Sequence, residues 1–411
     1  MIKKALNGNI RDVILLGCAA VIIIFSAVSA VVYAGNSCRR PVEVNPGEIG
    51  LTDYTASGVY VPDSADEMLR TEAENIVAAM SNEIKVGQLL LIRSNGMSLD
   101  RFAKMAAECH VGGVVLFGND VEGHTADTMK GYISTLQNAC GGKLLVCVDE
   151  EGGTVVRLSA NKNLRSARFR SPQAIYAAGG MEAIRSDTAE KCEFLKGFGV
   201  NVNFAPVADV VTNSRGFLYK RAFGIGAQET AQYVHEVVSV MEEHGMGSSI
   251  KHFPGYGNAS GDTHNGLVVL DTPEAEIRSR DLLPFVSGIA AGADSVMVTH
   301  TIVSAIDPVN PATLSPAVIS VLRSDLGFDG VIISDAMDMG AISEYTGGKD
   351  ACVAGFCAGL DMLCTPANAK TAYNALLGAV QDGTISQERL DESVTRIVMW
   401  KLSLGIYEMD G

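Results

Sequence analysis

Apolar residues recur along this chain in short runs separated by amphipathic stretches. The runs fall at 88–92, 113–117, 144–148, 200–204, 247–250, 295–298, 331–333 and 360–364. Runs of this length bounded by turn residues predict buried strands, and the longer periodic stretches between them predict helices. Several helical stretches open on Ser171–Pro172, Thr272–Pro273 or Ser315–Pro316, which suit an N-cap followed by proline in the first turn. Ser64 and Glu67 make a capping box for a helix running to about Met80.

Strand alternating with helix eight times predicts a (β/α)8 barrel of the TIM type. The rival is an open doubly wound sheet, which would carry a glycine fingerprint after its first strand. Here that position reads Ile92–Arg93–Ser94–Asn95–Gly96 and holds no such motif. The barrel has a corollary, because active sites collect where its strands end. Polar residues stand at those ends: Asp149–Glu150–Glu151 after the third strand, Lys251–His252 after the fifth, His300 after the sixth and Ser334–Asp335 after the seventh.

The first 34 residues follow another pattern. Lys3, Lys4 and Arg11 precede an uncharged apolar run over 13–33, long enough to span a bilayer as a helix. Residues 1–34 therefore read as a signal-anchor, or as a signal peptide if the chain is cut near Ala34. Residues 35–63 hold Pro41, Pro46 and Pro62 without periodicity and read as a flexible linker. The expected catalytic domain is 64–411, exported and either membrane-anchored with an extracellular domain or secreted.

Apolar residues make up 47% and charged residues 19%, the mixture of a packed globular protein. A net charge of −15 with no basic run in the body argues against a nucleic-acid partner. Nine cysteines in an exported chain suggest disulfides, but the spacing makes no framework. Cys147 and Cys364 lie in strand-like runs and Cys109, Cys192 and Cys357 in helix-like ones, so buried free thiols are expected. No zinc spacing is present, and neither a metal nor a cofactor is expected.

The densest chemistry lies in residues 250–267, where Lys251, His252, Asp262 and His264 share a segment with Pro254, Gly255, Gly257, Gly261 and Gly266. Such composition forbids a continuous helix or a central strand over the segment. Asp262 and His264 at i and i+2 of an extended loop share a side, so a carboxylate–imidazole dyad for proton transfer is feasible. Asp335 at a strand end suits a nucleophile at an anomeric carbon, or the N-cap of the next helix; Asp338 reads as loop structure. Asp149 suits recognition of hydroxyls, and Glu150 or Glu151 is a candidate general acid. Arg157 and Arg221 add donors, and Tyr219 and Phe223 either line a sugar subsite or pack in the core.

In order, VDEEGGTVVRL, the loop of Arg221–Ala222–Phe223–Gly224, KHFPGYG, GDTH and ISDAMDM resemble glycoside hydrolase family 3, most closely its bacterial β-N-acetylhexosaminidases. The similarity runs from about Met80 to Leu404. It implies that Asp335 is the nucleophile of a retaining reaction and that His264 is the acid/base, assisted by Asp262. It also implies that Asp149, Arg157, Arg221, Lys251 and His252 bind the terminal sugar. Many relatives import a glutamate acid/base from a second domain; this chain ends soon after the eighth strand, so the DTH loop is expected to supply the proton. Two positions depart from the pattern: Tyr256 stands where the family usually has histidine, and Thr154 where arginine is frequent.

The expected function is a retaining exo-β-N-acetylglucosaminidase acting on peptidoglycan fragments or chitin-like oligosaccharides, with carbohydrate and the membrane as its partners. The alternatives are another family 3 exo-β-glycosidase or a β-N-acetylglucosaminide phosphorylase, since an imidazole base tolerates an anionic acceptor. From a different class, a non-catalytic membrane-tethered sugar-binding protein is also weighed.

Overall fold

The computed structural model describes residues 64–407 apart from 258, 260, 262, 264, 265 and 347–350. The expected membrane segment and linker, and the side chains of Asp262 and His264, lie outside the described residues. Among the described residues no helix is long and apolar enough to cross a membrane.

All eight expected runs form strands. In chain order the strands are β1 (Leu90–Ile92), β2 (Gly113–Leu116), β3 (Leu145–Val148), β4 (Val202–Asn203), β5 (Gly247–Phe253), β6 (Val269–Leu270), β7 (Ser295–Val298), β8 (Ile302–Val303), β9 (Val331–Ser334) and β10 (Leu363–Cys364). Eight of them pair in parallel in the order β10-β1-β2-β3-β4-β5-β7-β9, and a parallel bridge between Ile333 and Met362 joins the two ends into a ring. This is the anticipated (β/α)8 barrel. Every residue of β1, β2, β3, β7 and β9 is buried, the continuous apolar signature of strands covered on both faces. Each such Val, Leu or Ile contributes about 1.5–3 kcal/mol relative to exposure. Close packing of the ring also constrains Gly113, where an added Cβ would lie 2.5 Å from the Leu145 carbonyl oxygen.

Local expectations fared unevenly. Ser171 and Ser315 cap their helices by accepting from the amides of Ala174 and Val318, each followed by proline. Thr272 does not cap: the helix Glu274–Glu276 starts after Pro273 and has no side-chain cap. Strand β5 runs three residues further than its apolar run, so Lys251 and His252 belong to the strand itself. The parallel pair β6 and β8 lies outside the barrel and escaped notice, since two-residue strands leave no periodicity to read. Cys109, Cys147, Cys192 and Cys364 are free and buried as expected, but Cys357 is exposed because it lies on the outer face of the helix Cys352–Ala358.

The ring closure is fastened from below by a buried carboxylate. Asp361 precedes β10 and accepts the amide of Ile332 on β9 (2.9 Å) and the hydroxyl of Ser393 (2.5 Å). It also pairs with Arg323, Arg389 and Arg396. Burial alone would raise its carboxyl, but the three guanidinium groups hold it below the ordinary carboxylate range. The last helix, Gln387–Ser403, is thereby tied to the β9–β10 seam.

Candidate active site

Three consecutive acids follow β3, and they do different work. Glu150 turns inward and is fully buried. Its carboxylate accepts the amides of Arg157 and Leu158, both at 2.9 Å, and the hydroxyl of Ser159. Its backbone exchanges bonds with the amide side chain of Asn203 at the end of β4 (2.9 and 3.2 Å). A buried carboxylate needs such saturation, and this one serves to fold the 151–159 loop back over the barrel. The two glycines that follow are required: Gly152 and Gly153 have φ of +103° and +67°, and a Cβ on Gly152 would sit 2.2 Å from the Arg170 carbonyl oxygen.

Asp149 and Glu151 belong to a network spanning β3, β4 and β5. Lys251 Nζ lies 2.7 Å from Asp149 Oδ1 and 2.7 Å from Glu151 Oε1. Arg157 donates to Asp149 Oδ2 at 3.0 Å, and Arg221 grips Glu151 with two bonds of 3.0 and 2.7 Å. Burial on its own would raise both carboxyls. Lys251, Arg157 and Arg221 override it, holding Asp149 well below the usual range and Glu151 at about 2. The same contacts push Lys251 and Arg221 upward against the opposing effect of burial. Glu150, saturated by hydrogen bonds, and Glu151, held ionised, are thus both unsuited to act as the general acid that either might have been.

His252 extends the network. A guanidinium only donates, so Arg221 Nη2 at 3.2 Å makes His252 Nε2 an acceptor. The proton then sits on Nδ1, which donates to Asp209 Oδ2 at 2.7 Å. Asp209 also accepts the amides of His252 (3.2 Å) and Tyr256 (2.6 Å). Sequence reasoning missed Asp209. Its only signal was a lone acid in the apolar stretch 205–211 after β4, which reads as readily as a turn residue.

Across the ring, four strands from β3, Asp335 follows β9. Its amide donates to the Val298 carbonyl (2.8 Å), and the next but one, Met337, donates to the Cys364 carbonyl (2.8 Å), so the segment is stitched between β7 and β10. Asp335 Oδ1 accepts the amide of Ala336 at 2.8 Å, and the helix Gly340–Thr346 begins five residues on. The N-cap reading therefore fails, and a partly exposed carboxylate of fixed orientation remains at the barrel mouth. His300, fully buried, donates from Nε2 to the Ala336 carbonyl (2.9 Å) and accepts the Thr313 hydroxyl on Nδ1 (2.8 Å). That pins the residue next to Asp335.

The rest of the rim is cationic and aromatic. Arg93 and Arg157 both lie over the Phe117 ring, 5.1 and 5.5 Å from its centre. Arg93 also pairs with Asp338, whose carboxyl is raised by burial and by the charge of Asp335 against that pairing. Asp338 thus ties the β9 loop to β1. Phe223 does not line a subsite: it is buried and stacks on Tyr233 with centroids 4.6 Å apart. Tyr219 packs on the small cluster of Val207, Val211, Leu218, Ala222, Tyr256 and Val268.

The frame of the 257–268 loop is defined by Tyr256, whose hydroxyl donates to the Gly261 carbonyl (3.0 Å) and accepts the Thr263 amide (2.8 Å). The Thr263 carbonyl accepts the Ala341 amide (3.2 Å), and Glu344 accepts the Leu267 amide (3.0 Å). The loop is thus held between β5 and the helix that follows Asp335.

Comparison with known proteins gives relatives for this sequence and fold. The profile described as "Glycosyl hydrolase family 3 N terminal domain" matches residues 81–399. The "Beta-hexosaminidase" of Stenotrophomonas maltophilia (strain K279a) is 35% identical, over 65% of this chain and 80% of its own. The "Beta-N-acetylglucosaminidase/beta-glucosidase" of Cellulomonas fimi is 29% identical, over 87% of this chain and 63% of its own. The solved structure of a glycoside hydrolase family 3 β-N-acetylglucosaminidase from Paenibacillus sp. str. FPU-7 is similar with a TM-score of 0.75 and 32% identity, covering 80% of this chain and 63% of that one. This chain spans less than two thirds of the length of the last two proteins.

Proposed function

The chain belongs to glycosyl hydrolase family 3, and on that premise we propose that it is a retaining exo-β-N-acetylglucosaminidase. The observation that carries this reading is the division of the barrel mouth. A rigid carboxylate, Asp335, stands on one side, and the charge-balanced cluster of Asp149, Glu151, Asp209, Lys251, Arg157, Arg221 and His252 on the other.

In the proposed reaction the terminal sugar is held by Asp149, Arg157, Arg221, Lys251 and His252. A carboxylate already positioned by two cations orients hydroxyls without reorganising, which is how binding energy is directed to the reacting centre. Asp335 attacks the anomeric carbon while the bond to the leaving oxygen breaks and His264 donates its proton to that oxygen. Water then attacks the glycosyl ester, giving its proton to His264 and releasing Asp335. Asp262 orients His264 in both steps. We further propose that the chain is exported through residues 1–34 and acts on peptidoglycan fragments or chitin-like oligosaccharides.

The test is turnover by the full chain of aryl N-acetylglucosaminide, glucoside and xyloside, with and without phosphate. Release of N-acetylglucosamine with retained anomeric configuration is expected. Sugar 1-phosphate formed only with phosphate would replace hydrolysis by phosphorolysis, and sugar binding without any turnover would favour a binding protein. His264→Ala is expected to slow substrates with poor leaving groups far more than activated aryl glycosides; equal loss on both would remove His264 as the acid.

A further inference from the structure

We propose that Tyr256 is a positioning residue, its hydroxyl clasping the backbone on both sides of position 262 and so ordering the loop that carries the proton-transfer pair. The inference rests on the proposed reaction for its catalytic meaning, and on geometry for the clasp itself.

Residues 257–268 contain Gly257, Gly261 and Gly266, so few side chains are available to pack the loop down and its backbone has much freedom to lose. One phenol compensates. It donates to the Gly261 carbonyl and accepts the Thr263 amide at once, which a hydroxyl can do and a phenyl ring cannot. The ring is held in turn: Tyr256 is 5% exposed and packs on Val207, Val211, Leu218 and Val268. Its edge-to-face contacts reach Phe217 (6.2 Å) and His252 (6.1 Å). Its amide is fixed by Asp209, the same carboxylate that sets the His252 ring. The sugar-facing cluster and the DTH loop are therefore referred to one another through Asp209 and Tyr256. On the far side, the Thr263 carbonyl meets Ala341 of the helix behind Asp335.

Tyr256 meets the expected sugar site only ring to ring, through His252, so loss of the hydroxyl alone should act through the placement of His264. Tyr256→Phe keeps the ring and removes only the clasp. Two measurements separate this role from the reading it rests on. In hydrogen exchange, the amide of Thr263, which donates to the phenol, should exchange about tenfold faster in the variant, with those of Ile250 and Val298 unchanged. In kinetics, kcat for an unactivated N-acetylglucosamine disaccharide should fall about tenfold or more, while kcat for a dinitrophenyl glycoside and both KM values stay within about twofold. Unchanged exchange at Thr263 would overturn the clasp. Faster exchange with equal losses on both substrates would overturn its catalytic meaning. If the unaltered chain turns over no glycoside, the proposed function fails, and exchange alone still decides whether Tyr256 orders the loop.

Discussion

Lys251 and Glu151 meet at 2.7 Å with each side chain only 2% exposed. A pair this dry is tolerated because neither ion depends on the other alone: Lys251 also holds Asp149, and Arg221 also holds Glu151. Three carboxylates (Asp149, Glu151, Asp209) and three full cations (Lys251, Arg157, Arg221) lie in the network, so its formal charge cancels. Removing one member strands the others in low dielectric, which costs more than the pair contributes.

Lys251→Met should therefore destabilise the fold by about 3–5 kcal/mol, since two buried carboxylates lose their shared cation. Chemical denaturation of the variant against the unaltered chain measures it. A change under about 1 kcal/mol, the value of an exposed pair, would show that solvent reaches the network.

The Glu151 carboxyl falls from 4.5 to about 2 on folding, which sets a pH dependence with a definite sign. A depressed carboxyl contributes stability that is fully present above the unfolded value and lost as pH falls through the folded one. The contribution is on the order of 3 kcal/mol. The stability gap between the unaltered chain and Glu151→Gln should accordingly be widest above pH 5 and shrink towards pH 2. Denaturation midpoints followed across that range test this; a gap that widens in acid would reverse the assignment.

Asp335→Asn keeps an oxygen able to accept the Ala336 amide, so the loop after β9 should stand unchanged. Turnover should fall by about 10⁴-fold or more, as when a nucleophile is deleted. Kinetics paired with a thermal melt separate chemistry from folding. Activity within about tenfold of the unaltered chain would remove Asp335 as the nucleophile.

The barrel was legible because strands buried on both faces write themselves as uninterrupted apolar runs, and all eight lay where those runs lay. Strand ends were legible too, since a polar residue after such a run has no apolar partner to meet. Asp149, Lys251, His252 and Asp335 were found that way. Less visible was what each neighbour does. Glu150 and Glu151 differ by one residue, yet one closes a loop and the other binds two cations, a distinction made by Ser159, Arg221 and Lys251 from elsewhere in the chain. The motif leaves Phe223 open between a sugar subsite and the core, and the stack on Tyr233 assigns it to the core. The pairing of β6 with β8 joins segments too short to carry any period.

Asp209 had no motif at all, and it makes the sharpest remaining prediction. Its Oδ2 takes the Nδ1 proton of His252, which leaves Nε2 to receive Arg221. Asp209→Asn can place an amide N–H against that proton, so either the ring changes tautomer or the amide turns its oxygen inward. In the first case Nε2 acquires a proton and repels Arg221, loosening the proposed sugar-binding side of the site. In the second, the Tyr256 amide loses its acceptor, because one oxygen cannot replace two on opposite sides. Both routes disturb binding while Asp335 keeps its place after β9, three strands from β4 in the ring. KM should therefore rise by about tenfold or more on activated and unactivated substrates alike, with a smaller fall in kcat. A fall confined to kcat would mean that Asp209 serves the proton-transfer loop alone.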